Sequence, residues 1–280
     1  MNFKHLSLLL LSIVIPVIIY AQKLPGIQQS SLRAPSNVKI DGKSTEWSNK
    51  FQAYNHATDI FYTMANDDDN LYLTIQATEH TNINKILGGG IILTINPSNQ
   101  KNIKNGISIT YPFPDMHNRV WVNLKYQPAS QTEADSIMKV KNTDYANASK
   151  LIKVTGIKSM DSLISVYNHD GIKAAGAFNN KLFFTYELSI SLKQLGLDAN
   201  APAKFTYNIK LPGVDMAAVY NAAGQATTLA GGVYVVPIGP LPGVSDEYIK
   251  NNQPSFPVKV HIEAFTSSTD FWGEYTLAKK

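Results

Sequence analysis

Residues 60–78 read IFYTMANDDDNLYLTIQAT. Leu71, Leu73, Ile75 and Ala77 fall on one face of an extended chain, and Tyr72, Thr74, Gln76 and Thr78 on the other. This period of two marks a half-buried antiparallel strand. Residues 66–70, Asn-Asp-Asp-Asp-Asn, separate it from the strand before it. Their short polar side chains bond their own backbone and tolerate tight-turn angles. The stretch is therefore strand, turn, strand.

The same texture extends outward. Alternating or apolar strand patterns recur at Ile91–Asn96, Ile107–Tyr111, Val120–Tyr126, Leu151–Ile157, Leu163–Tyr167, Ile172–Phe178, Leu182–Ile190 and Phe205–Leu211. Shorter or later ones follow at Val38–Ile40, Val258–Ala264 and Phe271–Leu277. Turn residues separate them, and no βαβ alternation appears. Glu79–Leu87 reads as a polar loop or short helix. Gly88-Gly89-Gly90 has no strand before it and no helix after it, so it is a bend rather than a phosphate loop. Gln131–Val140 is the one helical insert, with Ala134, Ile137 and Met138 at helical spacing. About a dozen closely spaced strands predict an all-β fold: an antiparallel β-sandwich, jelly-roll or immunoglobulin-like, with one short helical insert.

The first 21 residues stand apart from this pattern. Lys4 and His5 precede a nearly unbroken apolar run, Leu6–Ile19, and Tyr20-Ala21 ends it. The run is shorter than the roughly twenty residues of a membrane-spanning helix. It matches a secretory signal peptide cut after Ala21. The expected organisation is a signal at 1–21, an extended lead-in at 22–37, and one domain at 38–280. That domain contains a long Gly/Pro-rich loop at 212–257. The expected location is the periplasm, the cell surface or the medium, with no membrane span once the signal is removed.

The chain has 25 Lys and Arg against 21 Asp and Glu, a formal +4. Cleavage removes one lysine and leaves +3. That charge is too small and too evenly spread for a nucleic-acid partner. Lys101 and Lys104 form the only dense basic run, within a hairpin. No cysteine is present, which excludes disulfides, thiolate chemistry and a lipoprotein anchor.

Three pieces occur together in a telling order. They are Ile40-Asp41-Gly42 with Glu46-Trp47, then Asn66-Asp67 with Leu71-Tyr72-Leu73, and Trp272–Leu277. This order resembles the family 9 carbohydrate-binding modules and their DOMON-like relatives in exported bacterial proteins. The resemblance covers 38–111 and the C-terminal strands. It implies a β-sandwich that binds a sugar or, in some branches, haem. Residues 117–178 have no counterpart. The paired tryptophans that clamp a sugar in that family are not matched residue by residue, and its calcium sites are unassigned here.

Sugar binding needs flat aromatic faces beside neutral hydrogen-bonding groups. Alternation puts Trp121 opposite Val120, Val122 and Leu124 and beside Asn123; it either stacks on a ligand or packs under the helical insert. Trp272 shares a strand face with Glu274; it either stacks on a ligand or joins the core of the second sheet. Trp121, Asn123, Trp272 and Glu274 are the candidate ligand-binding residues. Trp47 reads as core. Asp67, Asp68 and Asp69 lack the spacing of a calcium loop and read as a turn. Glu79-His80 is an isolated pair. His261 and Glu263 share a strand face but are only two ligands. Haem would want Met and His axial ligands, yet Met64 lies on the core face and His56 in a loop. No metal or cofactor is assigned, and no nucleophile or metalloprotease motif occurs.

The expectation is an exported, non-catalytic, carbohydrate-binding-like module with a glycan ligand or a cell-envelope protein partner. The alternatives are a structural or protein-interaction sandwich, and a glycoside hydrolase with an unrecognised carboxylate pair.

Overall fold

The computed structural model describes residues 23–113, 128–201, 204–215 and 259–280. They form the expected sandwich of two antiparallel sheets. The first sheet contains β1 (Ala53–Asn55), β2 (Ile60–Asn66), β3 (Asn70–Ala77), β8 (Ile172–Phe178) and β9 (Phe184–Ser191), in the order β1-β2-β3-β9-β8. The second contains β4 (Ile91–Asn96), β5 (Ile107–Tyr111), β6 (Leu151–Thr155), β7 (Leu163–Ser165), β10 (Lys204–Leu211) and β11 (Thr269–Thr276). Its order is β11-β10-β4-β5-β6-β7.

Alternation decides which side chains meet between the sheets. Leu71, Leu73, Ile75 and Ala77 of β3 face inward, as do Phe184, Tyr186, Leu188 and Ile190 of β9. Leu93 and Ile95 of β4 and Phe205, Tyr207, Ile209 and Leu211 of β10 answer them from the second sheet. The Tyr62 and Tyr207 hydroxyls meet at 2.9 Å and join the two sheets inside this apolar layer. Gly273 pairs with Tyr207, whose ring lies where any Cβ on residue 273 would sit.

Helices cover the ends. The insert runs further than its sequence pattern indicates, as α2 (Gln131–Ala148). Its Ser130 cap accepts from the Glu133 amide at 3.2 Å, and Glu133 accepts from the Ala129 amide at 2.7 Å. α1 (His80–Gly89) resolves the loop-or-helix alternative as helix, burying Ile83, Ile86 and Leu87. Gly90 closes it at a φ of 77°.

Three expectations fail. Residues 258–264 were expected as a strand, but α3 (Lys259–Thr266) is a helix. Its apolar spacing suits either period, and docking beside α1 and residues 213–214 favours helix; the Val214 amide donates to the Phe265 carbonyl at 3.1 Å. Val38–Ile40 is not a strand, because residues 32–34 already occupy the free side of β2 at Asn66. Finally, the outer face of β3 is not solvated: Tyr72 and Thr74 are buried.

Residues 25–34 explain that last difference. They are built into the domain rather than leading to it. The Tyr54 amide donates to the Pro25 carbonyl at 2.9 Å. The Gln28 side chain takes the Met64 N–H and returns a bond to its carbonyl, both at 2.8 Å. Leu32 and Ala34 then bond Asn66, and Ser31 donates to the Thr276 carbonyl at 2.6 Å. The segment therefore runs between the β2 side of one sheet and β11 of the other. Residues 35–50 continue across the outer face of the first sheet, where Leu32, Ala34, Val38 and Ile40 pack with Trp47, Ala65 and Tyr72.

Candidate functional site

The motif residues at 41–47 converge on one buried acid, and Tyr72 of the second motif packs on the Trp47 ring beside it. Glu187, fully buried on the outer face of β9, stands between Thr74 and Ala175. It accepts from the Asp41 and Gly42 amides at 3.1 and 3.0 Å and from the Trp47 indole N–H at 3.4 Å. Gly42 has a φ of 79° and lies against the β8 backbone, where a Cβ would come 2.5 Å from the Ala177 nitrogen. The Trp47 ring packs on Tyr72, with centroids 6.4 Å apart. The Tyr72 hydroxyl donates to Asp67 at 2.6 Å. Asp67 also accepts from the Asp69 and Asn70 amides, as turn chemistry requires. Burial pushes the Asp67 carboxyl up, but these donors outweigh it and hold it below its ordinary value. Trp47 is thus core, as read from sequence, and this constellation clamps a segment onto a sheet.

Trp272 and Glu274 lie elsewhere, on β11 at the margin of the second sheet. Phe271, Gly273 and Tyr275 turn inward; Trp272 and Glu274 turn out, Trp272 half-buried and Glu274 exposed. Trp272 is therefore not in the core between the sheets. Both residues line an open groove of about 390 Å³ with Gln29, Ser31, Lys101 and Lys204. Lys204 Nζ lies 2.6 Å from the Glu274 carboxylate and, with Lys101 nearby, holds it below its ordinary range. Trp272 is paired with Asn208, which donates to Asp270 at 2.7 Å. Aromatic face, amides, hydroxyls and a charged pair thus share one concave surface. Trp121 and Asn123 lie outside the described residues, as do 1–22 and most of 212–257.

A second and larger groove, about 710 Å³, shares Gln29 and Ser30 with the first. Phe51 and Phe61 form its apolar ledge, with rings 5.9 Å apart and tilted by 42°. Tyr54 packs on Phe61 at 4.6 Å and donates to Asp59 at 3.0 Å. Gln29, Gln52, Gln76 and Asn49 supply amides around the ledge. Sequence reasoning passed over this groove and over Glu187. Phe61, an aromatic on the Thr63–Ala65 face of β2, was a signal for the first. An acid inside the apolar run FTYELSI was a signal for the second.

The remaining candidates separate. His261 and Glu263 now lie two apart on a helix, a spacing that does not share a face, so the expected strand-face pair is withdrawn. Met64 is buried in the core, and His56 sits in the β1–β2 turn against Tyr54. Among the described residues no group of three or more His, Asp or Glu could hold a metal ion. No helix among them is long and apolar enough to cross a membrane. No family model and no curated protein matches the chain.

Proposed function

We propose that this chain is an exported, non-catalytic binding module that holds a glycan at the groove of Trp272 and Glu274. The observation that carries the reading is Trp272, turned outward and half-buried in a polar groove. A pyranose presents C–H faces that pack on an indole, while its hydroxyls need donors and acceptors at the ring edge. Glu274, Lys204, Gln29 and Ser31 supply both kinds. The signal-like residues 1–21 and the resemblance to family 9 carbohydrate-binding modules support the same reading from sequence.

Glycan-array screening followed by calorimetry tests it. An oligosaccharide should bind without being cleaved. Trp272→Ala should cost about 2 kcal/mol, roughly a thirty-fold loss of affinity, with an unchanged circular dichroism spectrum. Absence of any glycan binding, or undiminished binding by the variant, would reject the proposal. N-terminal sequencing of the protein from its native host should begin near Gln22; recovery of Met1 would reject export by cleavage.

A further inference from the structure

The two grooves share a wall. Gln29 and Ser30 line both, on the segment that runs between the β2 side of one sheet and β11 of the other. Ligand-facing chemistry is therefore continuous from the Phe51–Phe61 ledge to Trp272. The charges along it are unequal. Lys23 and Lys50 line the larger groove, and no Asp or Glu does. Lys101 and Lys204 line the smaller one with Glu274 as its single acid. Four lysines against one glutamate give this surface a formal +3, as much as the whole chain carries without residues 1–21.

We infer that the two grooves form one binding surface for an acidic glycan, a sugar chain bearing uronate carboxylates or sulfate esters. The inference rests on the glycan reading above and narrows its ligand class. A neutral sugar would satisfy the amides and cover the aromatic faces, but it would bring no anion to Lys23 and Lys50, whereas Lys204 already pairs with Glu274 at 2.6 Å. An anionic sugar uses all three features. Phe51 and Phe61 meet its C–H faces, Gln29, Gln52 and Gln76 meet its hydroxyls, and Lys23 and Lys50 meet its charges. Lysine is suited to this because it acts as a flexible point charge and needs no fixed geometry on the anion. The charges sit in open, solvated grooves, so their attraction reaches only about a Debye length, roughly 10 Å at 0.1 M salt. Binding should therefore depend strongly on salt.

The test is calorimetry on the full mature chain with oligogalacturonate, a sulfated galactan oligomer and a neutral galactan oligomer of equal length, at low and at high sodium chloride. A single-stranded oligonucleotide serves as a charge control. At low salt one acidic oligomer should bind at least about tenfold tighter than the neutral one, and high salt should erase most of the difference. Which acidic oligomer wins identifies the anion as carboxylate or sulfate. Lys23→Gln with Lys50→Gln should weaken the acidic oligomer several-fold more than the neutral one and should reduce the salt dependence of acidic binding. Phe51→Ala should weaken both. Equal affinity for acidic and neutral oligomers overturns the inference while leaving the glycan reading standing. So does an unaffected double lysine variant, or an oligonucleotide bound as tightly as the acidic sugar. If no oligosaccharide binds, the glycan reading itself falls.

Discussion

At the scale of the residue, Glu187 is the position where chemistry and stability are most closely tied. Its burial pushes the carboxyl up to about 7, while the donors from Asp41, Gly42 and Trp47 restrain the rise. The ordinary value is 4.5, so the folded protein keeps a proton that the unfolded chain releases between the two. The resulting stability is fully present below about pH 4.5 and is lost as pH rises through about 7, by at most about 3 kcal/mol. Asp67 acts with the opposite sign: its depressed folded value withdraws stability as pH falls through it. Urea midpoints should therefore be higher at about pH 5 than at about pH 8, and Glu187→Gln should flatten that slope. A variant that keeps the wild-type slope would show that another group titrates.

At the scale of the element, the segment 25–34 acts as a strand substitute. The free side of β2 beyond its short pairing with β1 needs partners, since a buried backbone amide or carbonyl without one is costly. Gln28 provides them at Met64 with a side chain, and Leu32 and Ala34 provide them at Asn66 with backbone. Gln28→Ala leaves both Met64 groups without these partners and should destabilise the domain by about 2–4 kcal/mol. Hydrogen exchange at the Met64 amide should accelerate with it. An unchanged exchange rate together with an unchanged urea midpoint would mean that water replaces the side chain without cost. The same element explains why this stretch looks like a lead-in from sequence: it has no strand pattern of its own, and residues 25–34 borrow order from β2 and β11.

At the scale of the whole molecule, the two sheets are joined by an apolar layer crossed by the Tyr62–Tyr207 hydroxyl pair. Tyr62 also accepts from the Gln28 amide at 2.9 Å, so one ring ties β2, β10 and the N-terminal segment together. Tyr207→Phe should cost about 1 kcal/mol. Tyr62→Phe should cost more, because it removes the partner of both the Tyr207 hydroxyl and the Gln28 amide. The double variant should be less destabilised than the sum of the two, with a coupling of about 0.5–1.5 kcal/mol in a denaturation cycle. Strict additivity would show that the sheets are held by apolar packing alone. The same three-way junction brings residues 23–31, 49–52 and 272–276 to one side of the molecule and forms both grooves there.

By itself the sequence determined most of the strands, their turns, the inward residues of β3 and β9, the place of Trp47 in a core, and that Trp272 and Glu274 share a strand face, leaving open whether that face turns in or out. All of these follow from a period of two or from turn chemistry, which are local properties of a few consecutive residues. Tertiary structure alone decided what lies on the outer face of the first sheet, that 259–266 is helix, that Glu187 anchors the Asp41–Trp47 segment, and that two grooves meet at Gln29 and Ser30. Strand alternation says which side chains share a face and is silent about what covers that face. The grooves and the acid's donors are assembled from segments as many as about 250 residues apart, and such contacts leave no periodic trace in the chain.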